Sequence, residues 1–592
     1  MSSPSDRPAY LGVDRSFSGK KWRLRLADER GALALCQRLG VPEIVGRVLA
    51  ARGVDSESAE RFLEPQLRHQ LPDPSHLRDM DAAAARVAVA IRAGTEIGIF
   101  GDYDVDGATS AALLVRFIRA AGGRGRAYIP DRKREGYGPN APALAKLKSE
   151  GIGLVITVDC GTLAFEPLEQ ARALGLDVIV IDHHEAEAKL PPALAIVNPN
   201  RLDDDSPHKQ LAAVGVAFLL AVAVNRELRG AGWYGNGRDE PDLMAWLDLV
   251  ALGTICDVVP LTGLNRAFVS QGLKVMAARG NAGLAALADV ARLEGRPSCY
   301  HAAFLLGPRV NAGGRVGQAD LGFKLMTEDD ATVAKGIAAL LDGFNTERRR
   351  IEAEVLVSAE AQAAASDQPF LVLVAGEGWH VGVLGIVASR LKERFGRPTC
   401  VVGIDGETGK GSGRSLPGID LGAAVIAARH KGLLVNGGGH AMAAGFTIQR
   451  AKIAAFREFL SRRIESEATP GSFEPTLGLD GALVPEAATC ELAGDLERVG
   501  PFGTGNAEPR FAFAGVRLAA VEMAGEHVRC VLAGSHGTLR GVAFRAANTG
   551  LGRELLRLRG GLVHVAGRIA RDNWQGRERV QLYIDDAAAA PA

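Results

Sequence analysis

The chain has 592 residues, too many for one hydrophobic core, so three or four domains are expected. With 47% apolar and 23% charged residues it has the composition of a soluble globular protein, and its 69 basic and 69 acidic side chains cancel. That balance excludes a global field that attracts nucleic acid, so any polyanionic partner must be held by local basic patches. Seven scattered cysteines, odd in number and without a CxxC pair, argue against a disulfide framework or a zinc ribbon and fit a reducing cytoplasm. The first residues carry no apolar signal core, and the longest apolar run, Leu211 to Val224, falls short of the roughly 20 residues that span a bilayer. A cytoplasmic protein without a membrane anchor is expected.

Residues 1–88 mix short amphipathic helices, Arg30 to Leu39, Pro42 to Arg52 and Ser56 to Leu63, with proline and polar breaks, and read as a small helical N-terminal cap. In 89–344 the rhythm becomes apolar strand, acid or glycine, then helix. Ile97 to Phe100 leads into Ala108 to Ala121, Leu154 to Val158 ends at Asp159, and Val178 to Ile181 ends at Asp182. Such alternation means βαβ units and a mostly parallel sheet. Residues 345–366 are charged, lack Gly and Pro, and read as one connecting helix of about 30 Å. A second α/β lobe occupies 367–466, with strands at Phe370 to Val374 and Thr399 to Gly403 and a glycine-rich close at Gly437 to Gly445. In 476–592 short strands separated by turn residues predict a small barrel or sandwich, and from residue 500 onward twelve Arg and no Lys face eight acids.

Two strand endings carry the chemistry. Gly101-Asp-Tyr-Asp-Val-Asp-Gly107 presents Asp102, Asp104 and Asp106, and Ile181-Asp182-His183-His184 closes a later strand, with Asp159 ending the strand between and Asp257 following a helix. In open α/β sheets, ligands collect beyond the carboxyl ends of the strands, so these groups are expected to converge. One such Asp is ordinarily a helix cap or a turn acid. For Asp104, Asp106, Asp159, His183, His184 and Asp257 together chance is a poor explanation; so many carboxylates in one crevice would repel one another and titrate upward unless cations neutralised them, and two divalent ions solve that problem. Carboxylates mixed with imidazole suit Mn²⁺ better than Mg²⁺.

These residues resemble the DHH phosphoesterase superfamily. Gly437-Gly-Gly-His440 is similar to the motif of the DHH-associated domain, and Arg309-Val-Asn-Ala-Gly-Gly-Arg315, Gly411-Ser-Gly-Arg414-Ser and Pro501-Phe-Gly-Thr-Gly-Asn506 narrow the resemblance to the RecJ family of single-strand-specific 5′ to 3′ exonucleases, over roughly residues 70–590. The resemblance implies a two-lobed α/β core, in which a parallel-sheet DHH domain and a DHH-associated domain are joined by a long helix, followed by an all-β OB-fold-like domain. It makes Asp104, Asp106, Asp159, His183 and Asp257 metal ligands, with Asp159 bridging two ions, His184 facing the scissile phosphate and Asp182 orienting the histidine pair. Many superfamily members have a histidine where this chain offers Asp102, which is therefore a ligand or only a neighbour. The resemblance further implies single-stranded DNA as substrate, release of 5′ mononucleotides in recombination and repair, and a single-strand-binding protein and a helicase as partners.

In the second lobe, Ser412, Arg414, His440 and the N–H groups of Gly437, Gly438 and Gly439 are expected to hold a terminal phosphate, because glycine lets the backbone approach an anion and Arg grips it bidentately. If that pocket faced the metals, it would seat the 5′ phosphate while the first internucleotide bond lay on the ions. Arg132, Arg309 and Arg315 are expected along the path of the backbone, although each alone is equally well a solvated surface charge. Among Phe502, Phe511, Phe513, Phe544, Trp574 and Tyr583, Trp574 in a polar turn is the expected stacking platform for a single strand. Two rivals stand beside this reading. A small phosphodiesterase acting on short oligonucleotides or cyclic dinucleotides would leave the barrel and cap superfluous, and a non-catalytic binding protein would have lost the acids retained here.

Overall fold

The computed structural model describes residues 8–591 except residues 27, 236, 469, 470, 472 and 573–577, and the side chains of Arg132 and Lys133. The chain divides into two compact units, one made of Met1–Ser56, Glu347–Leu496 and Pro509–Ala592, the other of Glu57–Thr346 and Glu497–Glu508.

The second of these units is organised on a five-stranded parallel sheet in the order Arg124–Tyr128, Glu96–Gly101, Leu154–Val158, Asp177–Ile181, Ala195–Val197. Leu154–Val158 is buried at every position because helices cover both faces, which is why the sequence shows continuous apolar runs there rather than alternation. The chain order reverses between Glu96–Gly101 and Leu154–Val158, and the crevice beyond such a reversal is where α/β sheets bind ligands. The helix Val105–Ala120 leaves the first of these strands with Asp104 as its N-cap, accepting from the Gly107 N–H at 3.0 Å.

The connecting helix is longer than the sequence suggested. It runs Ala331–Ala364, 34 residues and about 51 Å, and begins at Ala331 rather than Asn345. The expectation stopped at Gly343, but Gly336 and Gly343 sit in the helix with open space where a Cβ would be. The true start is set by Asp330, whose Oδ1 accepts from the N–H groups of Thr332 at 2.7 Å and Val333 at 3.1 Å.

In the other unit, the α/β lobe carries a mixed sheet in the order Asn436–His440, Ala443–Gln449, Thr408–Arg414, Thr399–Asp405, Val372–Glu377, antiparallel except for the last pair. The glycine-rich close thus forms a hairpin whose first arm is the edge strand. The C-terminal strands Phe511–Ala524, His527–Ala533, Thr538–Ala543, Arg579–Ala589 and Leu562–Asp572 close on themselves through the pairing of the last with the first, so that of the two expected forms, barrel or sandwich, the domain is a five-stranded barrel. Phe511 and Phe513 fill it, both fully buried.

The N-terminal helices divide between the two units. Glu29–Leu39 and Glu43–Ala51 belong with the barrel, and Ala59–Leu63 belongs with the parallel sheet. Strand Lys21–Leu24 pairs in parallel with Thr476–Leu479, and the buried Trp22 indole donates to Asp586 Oδ2 at 3.0 Å. Asp480, fully buried, accepts from Arg25 Nη1 at 2.7 Å and from the Arg510 N–H at 2.9 Å, and forms an ion pair with Arg52.

Candidate functional site

Three parallel strands end together and deliver the acidic and imidazole side chains to one place. His183 Nε2 lies 3.3 Å from Asp159 Oδ1, 3.6 Å from Asp257 Oδ2 and 3.9 Å from Asp106 Oδ2. Two ligand-quality groups share His183: Asp159 with His183 and His184, and Asp106 with His183 and Asp257, each with its donor atoms within 4.8 Å of one another. His183 Nε2 and Asp257 Oδ2 are buried without a hydrogen-bond partner. Orphaned lone pairs of this kind are strongly disfavoured unless something electropositive joins them, so the residues present fit a divalent cation.

The electrostatics agree. Burial, then Asp104 and Asp106, pushes the Asp159 carboxyl well above its ordinary range. Burial and Asp104 raise Asp106 to about 7, although its oxygens accept from the N–H groups of Ala213 at 2.7 Å and Val214 at 2.9 Å at the start of helix Ala213–Gly230. Asp257, at the end of helix Leu247–Cys256, is pushed to about 9 by burial and by Asp106 and Asp104. Carboxyls raised in this way hold protons that a bound cation would replace. His183 is depressed to about 4, first by burial and then by His184, and hydrogen-bonds the Leu211 backbone, so its ring is neutral and a lone pair is available.

Asp182 belongs to neither ligand group and instead holds the histidines. Its Oδ1 accepts from the His184 ring at 2.7 Å and from the His183 N–H at 2.8 Å, while Oδ2 accepts from the Thr162 N–H at 3.0 Å. Burial opposes the charged His184 ring, but the Asp182 contact and the carboxylates of Asp182, Asp257 and Asp104 raise it to about 9. The pair therefore carries a cationic imidazole beside the acids at neutral pH. Asp104 spends one oxygen capping its own helix. Asp102, 3% exposed, accepts from the Tyr103 N–H at 2.8 Å and stands outside both ligand groups.

Three residues at this site were invisible to sequence reasoning. The Tyr137 hydroxyl donates to the Asp159 carbonyl at 2.9 Å and lies 3.5 Å from both His184 ring nitrogens. It thus steadies a residue in the left-handed region, with a φ of +59°, that only a few per cent of non-glycine residues adopt. Asn198 donates to the His184 carbonyl at 2.8 Å and Asn200 to the His183 carbonyl. The only signal for the asparagines is their place after strand Ala195–Val197, next in the sheet to the strand that ends at the histidines.

The α/β lobe of the other unit forms a second, different surface. Register across the hairpin aligns Ser412 with Gly445 and Gly438, and Arg414 with Ala443 and His440, so these six residues share one sheet face. A Cβ on Gly438 or Gly445 would meet nothing within 4 Å, so the face is open there. Arg414 Nη1 donates to Ser412 Oγ at 3.1 Å, and a Cβ on Gly385 would come within 2.8 Å of Arg414 Nη2 and 3.1 Å of Ser412 Oγ. The first turn of helix Leu384–Phe395 thus abuts both side chains and adds the positive end of a helix to the guanidinium. Of the expected backbone donors, the Gly437 N–H already donates to Asn436 Oδ1 at 2.8 Å, because the segment is a strand rather than a loop. Gly439 adopts a φ of +150°.

The remaining predicted residues separate. Arg309, 8% exposed, gives its guanidinium to Asp342 Oδ1 at 2.8 Å and the Leu305 carbonyl at 2.7 Å, and Arg315 is half-buried on the same helix, Gly307–Val316. The Arg132 side chain and Trp574 lie outside the described residues. On the barrel, Phe544 is 59% exposed, its ring centroid 5.6 Å from that of Tyr583 and 5.1 Å from that of His527.

With this geometry in hand, comparison with known proteins is direct. Residues 96–254 match the DHH family N-terminal domain, 367–466 the DHHA1 domain and 479–586 the RecJ OB domain. The single-stranded-DNA-specific exonuclease RecJ of Bacillus subtilis is 35% identical over 582 residues, covering 97% of this chain and 71% of that protein. The crystal structure of RecJ in complex with Mn²⁺ from Thermus thermophilus superposes with a TM-score of 0.80 at 30% identity, covering 96% of this chain and 80% of that one. The corresponding Mg²⁺ complex gives 0.75 at 29% identity, covering 96% and 79%. The match extends from the acidic strand ends to the closed barrel, and the chain belongs to the RecJ family.

Proposed function

We propose that the chain is a metal-dependent exonuclease that degrades single-stranded DNA from its 5′ end to 5′ mononucleotides, in recombination and repair. The observation that carries this reading is the unpartnered His183 Nε2 set among the carboxylates of Asp106, Asp159 and Asp257 in a member of this family. Asp104, Asp106, Asp159, His183 and Asp257 would hold two ions, with Asp159 shared, and the imidazole favours Mn²⁺ over Mg²⁺. Ions bound there would activate water and stabilise the attacking and leaving oxygens of a phosphodiester.

The chain's own residues do the rest. Asp182 fixes the His184 ring and keeps it cationic, so that it attracts the scissile phosphate. Tyr137 keeps the Asp159 backbone and the His184 ring in register. Asp102 acts as a neighbour that orients the Tyr103 backbone.

Ser412, Arg414, His440 and the Gly437–Gly439 strand take the terminal 5′ phosphate, supported by the open glycine face and the adjoining helix start. Arg132 and Arg315 contact the backbone of the strand, and Arg309 joins them by exchanging its Asp342 partner. The Phe544–Tyr583–His527 cluster serves as a stacking platform, with Trp574 as a further one. In this reading, residues 89–344 form the catalytic domain, 345–366 the connector, 367–466 the phosphate-holding domain and 476–592 the strand-guiding domain, with 1–88 accessory to both. The cytoplasm is the site of action, in keeping with cysteines that are unpaired and with the finding that no helix among the described residues is long and apolar enough to cross a membrane. A single-strand-binding protein and a helicase are the proposed partners.

Digestion of 5′-labelled and 3′-labelled single strands in Mn²⁺, with and without a 5′ phosphate, tests the reading. Label release at once from the 5′ end and only at completion from the 3′ end is expected. The reverse order would overturn the polarity, and equal digestion of a duplex would overturn the single-strand specificity.

A further inference from the structure

The motif Pro501-Phe-Gly-Thr-Gly-Asn506 has no task in the reaction described so far. It lies far along the chain from the metal-site residues, yet residues 497–508 belong to their unit. Its neighbours explain why. Asp257 closes helix Leu247–Cys256, with its N–H donating to the Gly253 carbonyl at 2.9 Å. Val258, the next residue, has a φ of +64°, a conformation that a β-branched side chain adopts only when its surroundings impose it.

Two sets of contacts hold the residues that follow it. On one side Asn265 Nδ2 donates to the Pro260 carbonyl at 3.0 Å and to the Gln210 carbonyl at 2.6 Å. On the other the Leu261 N–H donates to the Thr504 carbonyl at 2.7 Å. The glycines of the motif permit that approach. A Cβ on Gly503 would come within 2.7 Å of Leu261 Cδ1, and one on Gly505, itself at a φ of +74°, within 3.1 Å of Pro260 Cβ.

The loop is itself held firmly. Gly503 and Asn506 exchange backbone hydrogen bonds at 2.9 and 3.1 Å. The Asn506 side chain, fully buried, donates to the carbonyls of Val499 at 2.9 Å and Pro501 at 2.8 Å. Arg266, 2% exposed, donates to the Gly500 carbonyl and lies with its guanidinium 3.8 Å over the Phe62 ring.

We propose that the Pro501–Asn506 loop is a brace that positions Asp257 for metal binding, with Asn506 as its key positioning residue; this rests on the reading of Asp257 as a ligand. The strained turn after Asp257 is kept in place by a segment that the chain supplies just before the first long strand of the barrel. Loosening the loop lets the turn relax and moves the Asp257 carboxylate away from His183.

The test is calorimetric titration of the full chain with Mn²⁺ alone. Asp257→Ala is expected to weaken binding strongly. Asn506→Ala is expected to weaken it about tenfold, the range seen when a partner of a metal ligand is removed, and to add nothing in the Asp257→Ala background. Gly505→Ala, which presses on Pro260 and leaves Asn506 in place, should reproduce the loss if Asn506→Ala does not fold. Affinity for a single strand in EDTA should stay at the wild-type value in both loop variants. Wild-type Mn²⁺ binding by both loop variants, with Asp257→Ala defective, overturns the brace and leaves the ligand assignment standing. Wild-type Mn²⁺ binding by Asp257→Ala overturns the ligand assignment itself. A loop variant that loses strand affinity but keeps Mn²⁺ affinity overturns the brace and assigns the loop to the strand path instead.

Discussion

The carboxylate cluster and the glycine-lined sheet face are built from opposite materials. The first is acidic and buried, and its carboxyls crowd one another enough to hold on to protons; the second is basic, open and nearly bare of side chains. The difference teaches what each must recognise. On the proposed reading, cations would complete the buried acidic cluster with its orphaned lone pairs, whereas the open face of glycines with a guanidinium and a helix start would take an anion from solvent.

Substitutions separate the two. Asp159→Ala should lower kcat by about 10²–10³-fold or more, the scale of losing a preorganised electrostatic contact, with single-strand affinity in EDTA kept. Activity that survives it would remove the cluster from the reaction. Arg414→Ala should act on the other region alone. The preference for a 5′-phosphorylated over a 5′-hydroxyl strand, read as the ratio of kcat/KM, should shrink by about 10–100-fold, as expected from the loss of a charged hydrogen bond of ~1.5–3 kcal/mol. Mn²⁺ affinity should not change.

Tyr137→Phe keeps the ring and removes the hydroxyl that steadies Asp159. A fall in kcat of about three- to tenfold with an unchanged KM is expected, in line with one hydrogen bond of ~0.5–1.5 kcal/mol. A rise in KM alone would mean that the ring serves the strand rather than the site.

The smallest effect is one of pH. Asp106 and Asp257 titrate near 7 and 9 in the fold against 3.8 outside it, and a carboxyl raised on folding contributes stability that is full below about pH 4 and is lost as pH rises through the folded value. The metal-free protein should therefore melt a few degrees lower at pH 8 than at pH 5, and Mn²⁺ should stabilise it more at the higher pH. A melting temperature that rises over this range without metal would contradict the assigned burial.

How much of this was legible in the sequence follows from where each contact lies. Asp106, Asp159 and His183 could be placed near one another because each follows shortly after an apolar strand, Asp106 in the first turn of the helix that leaves it. Tyr137, Asn198 and Asn200 act on backbone carbonyls, and no pattern of residue types announces such targets. The alternation that marks barrel strands could not tell buried Phe511 and Phe513 from exposed Phe544, because the last lies just beyond the end of strand Thr538–Ala543. The edge strand Asn436–His440 did not show as a strand because four of its five residues have little or no β propensity, and only its pairing with Ala443–Gln449 makes it one.

The pairing of Lys21–Leu24 with Thr476–Leu479 has a bearing on how the molecule comes into being. During synthesis the first strand leaves the ribosome while its partner, 455 residues away, has not yet been made. Trp22 and the arginines that meet Asp480 must remain unsatisfied until Asp480 and Asp586 have been made, so this early segment reaches its final place long after it is synthesised.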